Sequence, residues 1–177
     1  MKYIPLLFSL YLTGSPLFTA IGAESPAEST ASISNSQIDY EGFLKLSQEV
    51  APYRETRRIS VEAFVKFSGE PGTIILDTRS RRNFERKHIK GAVHLNFSDL
   101  TKEELERVVP SKDTRILIYC NNNFRNNTPA FALKSAPAAL NIPTFITLYE
   151  YGYRNLYELG PIIEESDPEI ELYVAPQ

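Results

Sequence analysis

The chain has 177 residues, of which 42% are hydrophobic and 23% charged, so it is long enough for one compact domain with extensions. Its formal charge of −3, from 19 basic and 22 acidic residues, gives no electrostatic reason to expect a nucleic-acid partner. One cysteine excludes an internal disulfide framework and a cysteine-rich zinc site, and two histidines leave few ligands for another metal. We therefore expect neither a metal nor a cofactor.

The first 23 residues have the layout of a secretory signal. One charge, Lys2, precedes a mostly apolar stretch from Tyr3 to Leu12, and small residues close the segment around Ala23. The apolar stretch is shorter than the ~20 residues that a membrane-spanning helix needs. We therefore expect an exported chain, periplasmic or secreted, with no membrane span after signal removal. An uncleaved membrane anchor is the alternative.

Two segments separate this signal from the main domain. Residues 24–35 are rich in Ser, Ala and Glu and contain no aromatic side chain, which predicts a flexible linker. Residues 36–57 form an N-terminal helical extension, in which apolar side chains from Ile38 to Val50 fit a short amphipathic helix that Pro52 ends. The main domain is predicted over 58–163, followed by a C-terminal tail over 164–177.

Strands and helices alternate along the main domain. Two Ile-rich apolar runs, Thr73–Leu76 and Arg115–Tyr119, are typical of strands buried on both faces of a parallel sheet. The other predicted elements, in chain order, are a helix from the cap Ser60 to Gly69, a helical turn over Arg81–Lys87, a strand over Ala92–Leu95, a helix over Thr101–Val109 with a capping box of Thr101 and Glu104, a helix over Pro129–Leu140, a strand over Thr144–Leu148 and a helix near Leu156. This order predicts an α/β three-layer sandwich, with a mainly parallel central sheet flanked by helices.

Cys120 is the residue with the clearest catalytic potential. It follows the second apolar strand and precedes the polar loop Asn121–Asn127 and the helix predicted to begin at Pro129. Backbone N–H groups and the positive end of a helix dipole would both favour a thiolate at this position. Successive Asn residues can curl the loop so that its amides form an anion-binding nest, and Arg125 adds a positive charge. The alternative is a small buried side chain beside an ordinary polar turn.

The chain resembles the rhodanese (sulfurtransferase) domain family over about Ile59 to Gly160. The resemblance is carried by motifs in the family's order: Ile74-Ile-Leu-Asp-Thr-Arg79, Asn83-Phe84, His88-Ile-Lys-Gly-Ala92, Leu95-Asn96 and Arg115-Ile-Leu-Ile-Tyr-Cys120. It implies the rhodanese-like sandwich and a catalytic Cys120 that accepts a sulfane sulfur as a persulfide. It also implies that the loop residues bind this sulfur, namely Asn121, Asn122, Asn123, Phe124 and Arg125.

The chain departs from the family pattern at several points. It has no tryptophan, and Asn123 stands where the family often has a glycine. Asn121 replaces the basic residue that often follows the cysteine in thiosulfate-using members. These differences bear on the sulfur donor more than on the fold.

Three motif residues are predicted to support the site. Asp77 and Arg79 favour a structural ion pair at a strand end over contact with substrate. His88 is predicted to fix the turn before Gly91 through a backbone hydrogen bond, with general-base catalysis as the alternative. Four tyrosines near the end of the domain are predicted to pack with their hydroxyls at the surface, with a substrate mouth as the alternative: Tyr149, Tyr151, Tyr153 and Tyr157.

The sequence and the resemblance together predict a sulfurtransferase. Its partners would be a small sulfur-containing substrate such as thiosulfate and a thiol or other thiophilic acceptor. One alternative is a non-catalytic rhodanese-fold module that binds an exported protein. The other is a cysteine-dependent phosphatase, which is less favoured because related phosphatase loops place their arginine one residue farther on, where this chain has Asn126.

Overall fold

A computed structural model describes residues 35–176, so the predicted signal, 1–23, and nearly all of the predicted linker, 24–35, lie outside the described residues. The chain divides into two units, Met1–Gln37 and Ile38–Gln177, and all the described helices and strands belong to the second. None of the helices in the described region combines the length and the apolar character that crossing a membrane requires.

Helices and strands alternate along this unit. In chain order they are α1 Tyr40–Glu55, β1 Arg58–Ile59, α2 Val61–Ser68, β2 Thr73–Asp77, α3 Arg81–Arg86, β3 Lys87–Ile89, β4 Val93–His94, α4 Lys102–Val108, β5 Arg115–Tyr119, α5 Asn141–Glu150, β6 Leu156–Leu159 and β7 Leu172–Val174. Short 3-10 turns cover Phe97–Asp99, Asn121–Asn123 and Ala136–Ala138.

A parallel sheet of five strands forms the centre of the unit. Its order is β1-β6-β5-β2-β4, and each neighbouring pair is parallel. In the middle of the sheet Ile75 of β2 pairs with Leu117 of β5, and Ile118 pairs with Glu158 of β6. The strands β3 and β7 form a separate antiparallel pair. This architecture confirms the predicted α/β fold with a mainly parallel sheet.

Apolar side chains cover both faces of the sheet. On one face α1, α4 and α5 contribute Val50, Leu105 and Phe145 to a cluster with Leu76 and Ile118. On the other face the cluster is built from α2 and from the chain around and beyond Cys120, and includes Phe64, Ile75, Leu117, Phe124, Phe131 and Ile163. Because both faces are covered, β2 and β5 need apolar residues at consecutive positions, which explains why their sequences revealed them.

The helices α2 and α4 begin at the capping residues that the sequence predicted. The Ser60 hydroxyl oxygen accepts a hydrogen bond from the Ala63 N–H at 3.2 Å. The Thr101 hydroxyl oxygen accepts one from the Glu104 N–H, also at 3.2 Å. Each cap provides an acceptor for one of the N–H groups that the first turn of a helix leaves unpaired.

The prediction that Pro52 ends the first helix was wrong, because α1 continues to Glu55. A proline inside a helix removes one backbone hydrogen bond, and tertiary contacts beyond it offset this loss. The Tyr53 hydroxyl donates to the Arg154 carbonyl, and Arg54 pairs with Glu158 at 2.6 Å. These contacts fix the last turn of α1 to the end of the sheet.

Two elements near the end of the domain were predicted with the wrong type. The run predicted as a strand, Thr144–Leu148, lies inside helix α5, where Asn141, Thr144, Phe145 and Leu148 are buried at the three- and four-residue spacing of a helix. Pro143 lies in the first turn, where no intrahelical donor is needed.

The predicted helix near Leu156 is instead strand β6, which lies between β1 and β5. Its charged residue Glu158 is buried, because Arg54 neutralises the carboxylate. In the sequence, this charged residue makes a central strand resemble a polar segment. The predicted C-terminal tail also contains a strand, because β7 pairs with β3.

Candidate active site

Cys120 lies at the carboxyl end of β5 and is only 1% exposed. The backbone N–H groups of Asn141, Asn122 and Leu140 each act to lower the pKa of its thiol, against the larger effect of burial, which raises it. Asn122 belongs to the loop that follows the cysteine, whereas Leu140 and Asn141 form the amino end of α5. The sulfur therefore has N–H groups from two separate segments and the positive end of a helix dipole beside it.

The helix predicted over Pro129–Leu140 was wrong, and the dipole comes from α5 instead. The described backbone from Phe124 to Leu140, which we call the connector, has no α-helix and contains one 3-10 turn over Ala136–Ala138. Pro137 lacks the N–H group that the interior of this helix would need. Two Asn side chains bind connector backbone instead. Asn127 accepts from the Leu133 N–H at 2.8 Å, and Asn122 exchanges two hydrogen bonds with Lys134, at 2.8 and 3.1 Å.

The loop after Cys120 forms only part of the predicted amide nest. The segment Asn121–Asn123 is a 3-10 turn. Left-handed backbone occurs later in the loop, at Asn127, with a φ of 45°. Three of the following N–H groups already donate to carbonyl oxygens, from Asn123 to Cys120, from Phe124 to Asn121 and from Arg125 to Ile163. The loop thus contributes the Asn122 N–H to the sulfur, and α5 contributes the rest.

Asn123 holds the loop against α5 and β6. Its side-chain oxygen accepts from the Cys120 N–H at 2.9 Å and from the Asn141 amide at 3.1 Å, while its amide donates to the Leu159 carbonyl at 2.8 Å. A glycine at this position could make none of these contacts. The departure from the family pattern at Asn123 is therefore a structural anchor for the cysteine backbone.

The remaining loop residues take different positions. Asn121 is buried, and its side-chain oxygen has no hydrogen-bond partner among the described residues. Phe124 stacks on Phe131 at 3.7 Å between ring centroids. The Arg125 side chain is 63% exposed and pairs with Glu164 at 2.6 Å, so it turns to the surface of the domain.

The Cys120 thiol differs from the expected preactivated thiolate. Burial raises its pKa, and the N–H groups of Asn141, Asn122 and Leu140 offset only part of this rise. The prediction that the site favours the thiolate was therefore wrong for this closed arrangement, because loss of water outweighs the nearby dipoles.

Asp77 and Arg79 form the predicted ion pair at the end of β2. The Arg79 guanidinium lies 2.6 Å from the Asp77 carboxylate, both side chains are at most 1% exposed, and Arg79 also donates to the Ala130 carbonyl of the connector at 2.9 Å. The Tyr119 hydroxyl donates to Asp77 as well. Burial alone would lower the pKa of Arg79, but hydrogen bonds and charge from Asp77 and Tyr119 raise it. This network connects β2, β5 and the connector, and its Tyr119 immediately precedes Cys120.

His88 forms a backbone hydrogen bond, although not within the turn predicted for it. Its Nδ1 lies 2.7 Å from the Phe84 carbonyl of α3, and its ring stacks between Phe84 and Tyr173 at 3.9 and 4.7 Å. These contacts join α3 to β3 and β7. Gly91, three residues later, has a φ of 82°, so the turn itself depends on glycine.

Sequence reasoning missed Leu140 and Asn141 as neighbours of the cysteine. They lie far from Cys120 along the chain, and the wrong strand prediction at Thr144–Leu148 hid the helix that they begin. One signal was present, since Pro143 is favourable in the first turn of a helix.

The structure is that of an α/β domain with a thiol at the carboxyl end of a central parallel strand. The amino end of a helix lies beside this thiol. The family model described as "Rhodanese-like domain" matches residues 60–159. The chain belongs to the rhodanese-like domain family.

Solved structures similar to this chain come from several bacteria. A rhodanese with anions from E. coli is 18% identical, with 58% of this chain and 98% of that chain covered and a TM-score of 0.39. The rhodanese-like domain of the Anabaena protein Alr3790 is 23% identical, with coverage of 63% and 84% and a TM-score of 0.39. The Helicobacter pylori protein hp1203 is 19% identical, with coverage of 69% and 93% and a TM-score of 0.45. No curated protein matches the sequence.

Proposed function

We propose that this protein is a sulfurtransferase that carries sulfane sulfur as a persulfide on Cys120. The observation that supports this most strongly is that Asn123 Oδ1 accepts from both the Cys120 N–H, at 2.9 Å, and the Asn141 side-chain amide, at 3.1 Å, so that the cysteine lies beside the amino end of α5. The N–H groups of Asn122, Leu140 and Asn141 favour the thiolate there. Preorganised backbone donors stabilise negative charge that develops on a reacting atom. Here they would stabilise the thiolate that attacks the donor and the terminal sulfur of the persulfide.

The proposed reaction has two steps. The Cys120 thiolate attacks the sulfane sulfur of thiosulfate, a new S–S bond forms, and sulfite leaves with the electron pair of the broken bond. A thiophilic acceptor then attacks the outer sulfur of the persulfide, and the cysteine leaves as a thiolate. The cycle balances without an oxidant or reductant, because the sulfane sulfur moves from donor to cysteine to acceptor at the same oxidation level.

We propose that the chain is exported, because residues 1–23 have the layout of a secretory signal. With an exported chain, the acceptor would be a small periplasmic or extracellular thiol or a thiol of another exported protein.

Access to Cys120 requires movement of the connector in this proposal. The cysteine is only 1% exposed. Asn122, two residues after Cys120, makes two hydrogen bonds with Lys134 that hold the connector against the loop. Residues 132–138 are all exposed, so this part of the connector has little apolar burial to lose when it moves.

Mass spectrometry of the folded protein after thiosulfate treatment tests the proposal. We expect one adduct of about 32 Da, one sulfur atom, located on Cys120. The Cys120→Ser variant should gain no mass, and protein unfolded in denaturant before treatment should gain much less than folded protein, since the N–H groups no longer face the sulfur. Equal adduct formation on folded and unfolded protein would contradict the proposal.

A second candidate function is a non-catalytic module that binds an exported protein. It is favoured by the burial of Cys120, by the carbonyl pairing of the N–H groups of Asn123, Phe124 and Arg125, and by the surface ion pair of Arg125. The same mass measurement separates the two candidates, because a module has no reason to form the adduct only when it is folded.

Removing the side chain of Asn122 should make Cys120 more reactive. Asn122→Ala deletes both hydrogen bonds to Lys134, each worth about 1 kcal/mol, so alkylation by iodoacetamide should accelerate roughly tenfold or more. Burial raises the pKa of the wild-type thiol, so its alkylation should rise only at a higher pH than that of free cysteine. Entry of water in the variant lowers this pKa, and the pH profile should move to lower pH.

Asn155→Ala is a matched control for this experiment. It deletes one side-chain hydrogen bond, to the Asp113 carbonyl at 3.0 Å, at the other edge of the sheet. We expect wild-type alkylation rates from this control. If Asn122→Ala and Asn155→Ala reacted alike, the connector would not control access to the cysteine.

A further inference from the structure

The tyrosines near the end of the domain lie at the opposite edge of the sheet from Cys120. Tyr149 is in the last turn of α5, whose first residue faces the cysteine, and Tyr153 precedes the start of β6. Because the five strands are parallel, the residues that precede them share the amino edge of the sheet, whereas Cys120 lies at the carboxyl edge. These tyrosines therefore do not line a substrate mouth at the cysteine.

Basic side chains lie over several rings at this edge. The Arg154 guanidinium lies 3.6 Å from the centre of the Tyr149 ring, and the Lys112 ammonium lies 3.7 Å from that of Tyr153. Arg57 lies over two rings, 4.9 Å from Tyr53 and 5.0 Å from Tyr157. Contact with an aromatic face restricts the freedom of a long basic side chain, so the three charges are preorganised.

The three cations line one open, shallow cavity of about 530 Å³ at this edge. The lining also includes Tyr53, Asn155 and a single carboxylate, Asp113. With three basic side chains and one carboxylate, the lining has a net positive formal charge, although the whole chain has a formal charge of −3. The positive charge is therefore a local feature and not a consequence of composition.

The cations are only weakly neutralised by the protein. Neither Arg57 nor Arg154 has a carboxylate oxygen within 4.0 Å in the region that the structure describes, and Lys112 lies 4.0 Å from Glu106. Arg57 donates through Nη1 to the Tyr157 hydroxyl, and Arg154 donates through Nη1 to the Tyr149 and Tyr153 carbonyls. The Nε and Nη2 groups of both arginines have no acceptor among the described residues and remain free to donate.

We propose that this cavity binds a tetrahedral oxyanion of the phosphate or sulfate type, either free or as a monoester. Guanidinium groups suit such ligands, because their planar N–H groups bind two oxygens at once, and the Lys112 ammonium supplies an additional point charge. This site is separate from Cys120, and the proposal does not depend on the sulfur transfer proposed there.

Titration of the folded protein with inorganic phosphate, inorganic sulfate and glycerol phosphate, followed by NMR, tests this proposal. We expect saturable binding, with a dissociation constant of about 1 mM or below and with shifts centred on Arg57, Lys112 and Arg154. Tighter binding of glycerol phosphate than of phosphate would identify an ester as the ligand, and the reverse order would identify the free anion. Cys120→Ser should bind as the wild type does.

The variants Arg154→Gln and Lys112→Gln should each weaken binding about tenfold, the effect of one charge-assisted hydrogen bond. Lys112→Gln keeps the test decisive if the loss of Arg154 lowers stability, since Lys112 is exposed. Arg107→Gln is the matched control, because its side chain is 71% exposed and pairs with Glu104 on α4. No saturable binding, or equal binding by Arg107→Gln and the cavity variants, would overturn the proposal.

Discussion

Arg79→Met should lower the free energy of unfolding by about 3–5 kcal/mol, the usual cost of removing one partner of a buried ion pair. The substitution leaves the Asp77 carboxylate fully buried, with its charge uncompensated. It also removes the donors to the carbonyls of Lys87 and Ala130, at 2.8 and 2.9 Å. Chemical denaturation monitored by circular dichroism measures the difference.

Arg125→Met is the matched control for Arg79→Met. Arg125 also pairs with a carboxylate at 2.6 Å, but its side chain is 63% exposed and that of its partner Glu164 is 45% exposed. Such surface pairs contribute between zero and about 1 kcal/mol. If Arg79→Met cost no more than Arg125→Met, the network of Asp77, Arg79 and Tyr119 would not stabilise the fold. If Arg79→Met does not fold, Asp77→Asn provides the same comparison.

The parts of the fold that the sequence predicted are those in which local pattern and tertiary environment agree. The strands β2 and β5 are buried on both faces, so their unbroken apolar runs have one interpretation. Ser60 and Thr101 cap their helices through contacts three residues away, and such local contacts can be seen in sequence.

The elements α5 and β6 were exchanged because their environment overrides their local pattern. The run from Thr144 to Leu148 is apolar enough for either a strand or a buried helix, and only the sheet order decides between them. Glu158 makes β6 resemble a surface segment until Arg54 is placed beside it. Arg54 lies in α1, far away in sequence, so this pairing could not be predicted.

The position of Cys120 could be predicted, whereas its surroundings could not. Its place after β5 follows from the motif and from the strand pattern. The donors Leu140 and Asn141 reach it only after the connector has turned back along the domain, and the orientation of Arg125 depends on Glu164. Burial of the thiol, which raises its pKa, is likewise a property of the packed domain.

The proposed sulfurtransferase function depends on the Cys120 sulfur as the atom that accepts sulfane sulfur and passes it on. Cys120→Ser should abolish transfer from thiosulfate to cyanide, because a serine hydroxyl cannot form a persulfide. Its stability should change by less than about 1 kcal/mol, since the N–H groups that face the sulfur can also bind a hydroxyl oxygen. The loss of activity is then chemical and not a consequence of unfolding.

The decisive measurement is the rate of thiocyanate formation by the wild type and by Cys120→Ser at equal concentrations of folded protein. We predict turnover by the wild type and none above the uncatalysed rate by the variant. Equal rates for the two proteins, whether both are active or both are inactive, would contradict the assignment of sulfur transfer to this cysteine.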